Sequence, residues 1–201
     1  AYDDNNLSGY DTIFRHSQLL GSIDAVEPSI LSNITTLKLR RNVKATVDGT
    51  ASGYDVVFGN ALYNPHSGHN TSSGGILSST GFKVTGSDLE QFLDDDGNGN
   101  VRRYYLSSGI RTYSNETQGT IDYSTGQITL NSLNIASISN IRGATSTVVE
   151  LTVTPNSNDV VPVRDQIVEI DIANSTINVT ADTFVGGSAD AGVGYTTTSS
   201  Y

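Results

Sequence analysis

From Ala51 onward almost every apolar run is short, β-branched or aromatic, and is closed by Gly, Asn, Asp or Ser. That punctuation leaves room for brief strands and tight turns and for no long helix. Residues 54–63 and 76–84 read as strands, separated by an exposed loop, 64–75, that holds Pro65, His66 and His69 without any periodicity. A meander follows, with strand-like pieces at 90–93, 101–106, 110–113, 120–123 and 127–130. Ser107-Ser108-Gly109 and Ser124-Thr125-Gly126 place glycine where a three-residue hairpin loop needs a left-handed residue. Further on, Val149, Leu151 and Val153 alternate with polar residues, as do Val168, Ile170 and Ile172, and then Ile177, Val179 and Ala181. These predict three more strands, enough to cover a second sheet.

The first fifty residues differ in texture. Ile13, Phe14, Gln18, Leu19 and Leu20 form a helical stripe over 11–20, with Ser8 and Asp11 as N-cap candidates and Gly21 as the stop. Residues 25–31 predict a second short helical turn around Pro28. Between 34 and 47, Leu37, Leu39, Val43, Ala45 and Val47 alternate with Thr36, Lys38, Arg40 and Lys44, the period of a half-buried strand. The expected fold class is α+β, predominantly antiparallel β: a small helix-containing N-terminal lobe followed by a β meander or sandwich. The expected divisions are a lobe over 1–50, a β-rich domain over 51–185, and a Gly/Ser/Thr tail or assembly arm over 186–201. No fixed-period repeat is visible, which argues against solenoids and propellers.

Composition removes several chemistries. With no cysteine among 201 residues, a disulfide scaffold, a thiol nucleophile, a thiolate zinc site and an iron–sulfur cluster are excluded. A formal charge of -10 opposes a nucleic-acid groove, since every phosphate contact would work against the net field. No run approaches the ~18 apolar residues of a membrane helix. The absence of methionine leads us to expect a portion of a longer protein.

The sharpest local signal is Asp94-Asp95-Asp96-Gly97-Asn98-Gly99-Asn100, which matches the first half of a calcium loop with Asp94, Asp96 and Asn98 as oxygen ligands. The second half fails: the ninth position is Arg102, and Tyr105 stands where a bidentate glutamate should close the loop. An acidic, glycine-rich turn between two strands accounts for the same residues without a metal. His66 and His69 have zinc-ligand spacing only on a helix, and His16 lies elsewhere in the chain, so two loop histidines are expected rather than a metal site. Five Asn-x-Ser/Thr sequons, at Asn33, Asn70, Asn115, Asn174 and Asn178, follow from a composition rich in those residues and are discounted. No serine elbow, phosphate loop, dinucleotide fingerprint or histidine-bracketed glutamate occurs. A glycosidase needs only two facing carboxylates, but no tryptophan is present to stack on a sugar ring. No enzyme activity and no cofactor are expected.

The order of particular segments carries further information. Residues 24–36 (DAVEPSILSNITT) precede a basic strand; then come Tyr54-Asp55-Val56-Val57-Phe58-Gly59-Asn60, residues 92–102 (FLDDDGNGNVR), and residues 119–130 (GTIDYSTGQITL). Over roughly 10–195, with 155–171 and the Gly/Thr/Ser-rich end also fitting, the chain resembles the C-terminal portion of the baseplate wedge subunit, gene product six, of T-even-like contractile-tailed phages. The version is similar to that of marine myoviruses such as cyanophages. The resemblance implies a structural role in the virion tail baseplate, assembled in the host cytoplasm. It implies pairing of the subunit with itself into an inner ring and contacts with other wedge proteins. It implies no catalytic residue, no nucleic acid and no membrane. Protruding loops at 64–75, hairpin tips at 94–100 and 107–109, and the tail from Gly186 fit such a role. The rival class is a secreted or cell-surface bacterial adhesion module with calcium-dependent turns, which shares the acidity and the Thr/Asn/Gly-rich strands.

Overall fold

The computed structural model describes residues 2–69 and 75–180. The chain divides into two compact units, residues 1–169 and 170–201. The first holds two helices, α1 (Tyr2–Asn6) and α2 (His16–Asp24), and ten strands: β1 (Leu39–Lys44), β2 (Ser52–Val57), β3 (Ser78–Ser79), β4 (Phe82–Val84), β5 (Gln91–Asp95), β6 (Asn100–Ser107), β7 (Ile110–Asp122), β8 (Gln127–Leu133), β9 (Ile135–Ile138) and β10 (Val148–Val153). Of the second unit the described part contains one 3-10 turn, Ile172–Asn174. The fold is α+β with a mostly antiparallel β body, as its punctuation predicts.

Two sheets make up that body. One has the order β2-β8-β7-β6-β5-β4-β9 and the other the order β1-β10-β3. One apolar cluster draws on both: Phe82, Leu93, Val101, Ile128 and Leu130 from the larger sheet, and Val43, Val149, Leu151 and Val153 from the smaller. Alternation does the sorting, since residues i and i+2 of a strand face the same side. In β10 it places Val149, Leu151 and Val153 in the core, as expected.

Several expectations need correction, and each has a physical reason. The segment 76–84 is not one strand. It crosses between the sheets, with β3 pairing β10 and β4 pairing β9 and β5, and Thr80 and Gly81 form the corner. The separate pieces 110–113 and 120–123 are the two ends of β7, whose polar middle is bulged where it passes Arg103. The strand expected over 54–63 ends at Val57, and Leu62 pairs only in an isolated bridge with Pro155. Strand β9 was not foreseen.

Both hairpin loops differ from the three-residue type. Ser107 faces Ile110, so the β6–β7 loop has two residues, Ser108 at φ 51° and Gly109 at φ 81°. Two successive left-handed residues define a turn whose twist matches its strands. In the β7–β8 loop Asp122 faces Gln127, leaving four residues between them, and only Gly126 (φ 71°) is left-handed.

The N-terminal helix starts later than its stripe suggests. Phe14 is extended and buried, paired with Val160, and Asp11 has φ 57°, so neither Asp11 nor Ser8 caps a helix. The Asp159 carboxylate instead accepts the His16 N–H (3.0 Å). Helix α2 then runs through Gly21 to Asp24. Residues 25–31 form turns without helix, and in 34–47 only 39–44 is paired. Residues 168–172 and 177–180 are not strands; Ile172, Ile177 and Val179 are exposed. Ala181, the Asn70 sequon, residues 70–74 of the expected loop and the tail 186–201 lie outside the described residues.

Candidate functional site

Strands β5, β6 and β7 carry a cluster of charged and aromatic side chains bonded to one another. Adjacent residues of a strand point to opposite faces, so Asp94 and Asp95 serve different surroundings. Register sets Asp94 opposite Arg102 and Phe92 opposite Tyr104, with Tyr104 opposite Tyr113 on the next strand. Arg102 Nε donates to Asp94 Oδ1 (2.9 Å), while Arg111 Nη1 (2.7 Å) and the Tyr113 hydroxyl (2.9 Å) donate to Oδ2. The guanidinium of Arg102 lies over the Tyr113 ring, 4.2 Å from its centroid, and that of Arg111 over Tyr104 at 4.6 Å. Phe92 stacks on Tyr104. Burial pushes the Asp94 carboxyl up, against the pull of Arg102, Tyr113 and Arg111. Burial and the neighbouring Asp94 also raise the Tyr113 hydroxyl.

On the other face, Asp95 is fully buried and bridges two segments. Its Oδ1 accepts the Leu77 N–H (2.9 Å) and its Oδ2 the Tyr123 hydroxyl (2.7 Å). Burial and then that carboxylate push the Tyr123 hydroxyl far above its ordinary value. With donors from two separate segments, this buried carboxylate anchors them to β5.

The turn between β5 and β6 is held by Asp96. Its Oδ1 accepts the N–H of Asn98 (2.8 Å) and of Asn100 (3.0 Å), and its Oδ2 the Asn100 carboxamide (2.7 Å). Partial burial pushes this carboxyl up, but the Asn100 and Asn98 donors outweigh it, and the net position is below the ordinary value. Asn98 Oδ1 accepts the Ser67 hydroxyl (2.6 Å). The structure therefore does not converge the three calcium candidates: Asp94 faces arginines, Asp96 its own turn, and Asn98 the 64–69 loop. His66 and His69 are edge-to-face at 6.0 Å, and His69 is also edge-on to Tyr123. His16 sits at the start of α2. Among the described residues no group of three or more His, Asp or Glu is arranged to hold a metal.

Sequence reasoning missed Arg102, Arg111, Tyr104 and Tyr113 as a unit. The available signal was the eight-residue spacing of Asp94 and Arg102 about a glycine-rich turn, which sets opposite charges across a hairpin.

The N-terminal segment is clasped to the body by distant residues. Besides the Phe14–Val160 bridge and the Asp159 cap, Asp11 N–H donates to the Gln166 carbonyl (3.1 Å), and Arg15 pairs with Asp159 at 3.3 Å. The clustered carboxylates of β5 and its turn, Asp94, Asp95 and Asp96, each hold strands or turns together. Residues 1–42 match the family described as baseplate structural protein gp6, C-terminal domain III. The match covers α1, α2 and the first part of β1, and it points to a structural role in a phage baseplate. No curated protein matches the chain.

Proposed function

We propose that the chain is a structural component of a phage tail baseplate wedge, of the marine myovirus type, which joins an inner baseplate ring by self-association and by contacts with other wedge proteins. It acts without a catalytic residue or cofactor. The observation that carries this reading is the family match over residues 1–42. It is supported by the way that segment is docked onto the β body through Phe14, Arg15 and His16. A module that passes mechanical load needs its attachments built into rigid elements, and the buried Asp94 and Asp95 networks supply that rigidity.

The test is localisation in assembled particles. Antibody raised against the purified chain is expected to label the baseplate end of tails in electron micrographs, and the chain to sediment with purified tails. Labelling of host cell surfaces with none on tails would overturn the proposal. A melting temperature that rises strongly with calcium and falls with chelator would support an adhesion module instead, because a ligand that binds only the folded state stabilises it.

A further inference from the structure

Asparagine is followed by glycine at one place in the chain, Asn98-Gly99, in the turn between β5 and β6. There a backbone amide can reach the preceding side chain with least hindrance, because glycine has no Cβ to crowd the approach. The fold leaves both groups available. Asn98 is exposed. The Gly99 N–H has no acceptor among the described residues, although the Asn98 and Asn100 N–H groups on either side of it are both taken by Asp96. The Ser67 hydroxyl donates to Asn98 Oδ1 at 2.6 Å, the oxygen on which negative charge develops when a nucleophile adds to the carboxamide.

Two sites of related chemistry are closed. At Asp48-Gly49 the Gly49 N–H is bound to the Ile135 carbonyl (3.1 Å). At Asp96-Gly97 the carboxylate accepts three hydrogen bonds, and an ionised, fully bonded carboxylate resists nucleophilic addition. We propose that Asn98 is a site of spontaneous deamidation, promoted by the Ser67 hydroxyl. The Gly99 nitrogen gives its proton to solvent and bonds to Asn98 Cγ; the Cγ–Nδ2 bond breaks, and ammonia leaves with a proton from solvent, closing a succinimide ring. Water then opens either ring C–N bond, leaving aspartate or isoaspartate. Each product adds a negative charge to a turn that already holds Asp96. The isoaspartyl form also lengthens the backbone by one methylene where the 64–69 loop is tied down, by the Ser67–Asn98 bond and by the Gly68 N–H on the Gly97 carbonyl (3.2 Å). No enzyme or cofactor takes part, so the extent of conversion records the time the folded chain has spent in solution.

The full 201-residue chain is held folded in mildly alkaline buffer, and the tryptic peptide 84–102, bounded by Lys83 and Arg102, is followed by mass spectrometry. Asn98 is expected to convert ahead of every other asparagine, with isoaspartate among the products. Asn98→Gln, whose longer side chain closes the ring poorly, is expected to show no conversion at that position. Ser67→Ala, at an exposed loop position, is expected to slow conversion by about threefold to tenfold, the worth of one neutral hydrogen bond. In concentrated urea, where that bond is absent, the Ser67→Ala and unsubstituted chains are expected to react at the same rate. An Asn98 that stays intact in the folded chain while it converts in urea overturns the proposal. So does faster conversion at another asparagine, or a folded Ser67→Ala chain that reacts as fast as the unsubstituted one.

Discussion

Replacing Arg102 by alanine should be among the most damaging single changes in the hairpin, far more so than replacing Arg111, although both guanidiniums bond to Asp94. The Arg102 side chain is 7% exposed and Asp94 1%, whereas Arg111 is 34% exposed. Without Arg102, Oδ1 of Asp94 loses a charged donor where water has little access, and the Asp95 carbonyl loses the Nη2 donor at 2.9 Å. Removing one partner of a buried pair costs about 3–5 kcal/mol. Removing Arg111 leaves a position that water can reach, and a partly exposed pair is worth roughly 1 kcal/mol. At about 2–4 °C per kcal/mol for a chain of this size, Arg102→Ala should lower the melting temperature by roughly 10 °C. The double replacement Asp94→Leu/Arg102→Met removes the buried charges together and, although the Asp95 carbonyl still loses its donor and Arg111 and Tyr113 their acceptor, should be clearly less destabilising than Arg102→Ala. Urea unfolding followed by circular dichroism measures all three. A loss for Arg102→Ala no larger than for Arg111→Ala, or a double variant as unstable as Arg102→Ala, would refute the reasoning.

Turn glycines should separate by surroundings. Gly109→Ala meets open space at φ 81° and should cost about 1 kcal/mol of unfolding free energy, whereas at Gly126 (φ 71°) a Cβ would stand 2.3 Å from the Asn60 carbonyl oxygen, and the cost should reach about 3 kcal/mol or more by the same urea assay. Tyr123→Phe strips one donor from the buried Asp95 and should cost about 1–2 kcal/mol. The Asp122 carboxyl, bonded to the Ser124 hydroxyl and the Ser124 and Thr125 amides, is held down at about 2. Because its folded value is depressed, the stability it adds is present above the ordinary aspartate value of about 4 and is lost as pH falls through the folded one. The melting-temperature gap between the unsubstituted chain and Asp122→Asn should therefore close over that window.

The β body was legible in sequence wherever period-two alternation ran up to a glycine-containing turn, as in 101–106 and 127–130. Legibility failed where a distant residue decided the outcome. Helix α2 begins at His16 because Asp159, 143 positions away, caps it, and Phe14 leaves the helical stripe to pair with Val160. The polar middle of β7 hid one strand as two, since its pairing to β6 is bulged. The run 76–84 looked continuous because alternation does not reveal a change of sheet at Thr80 and Gly81. Conversely, Val168 to Val179 alternates well but pairs with no strand among the described residues. The Asp94 cluster depended on register, which pairs residues across strands that no local pattern links.

The clasp between residues 11–16 and 159–166 bears on the order of events during synthesis. Domains generally acquire structure as the chain emerges, yet residues 11–16 have no docking surface until residues 159–166, which follow β10, have been translated. Until then Phe14 is exposed and α2 lacks its cap. Residues 11–16 and α2 are thus late to dock, and a protease added during translation should cut them long after the hairpins of β5 to β8 have become resistant.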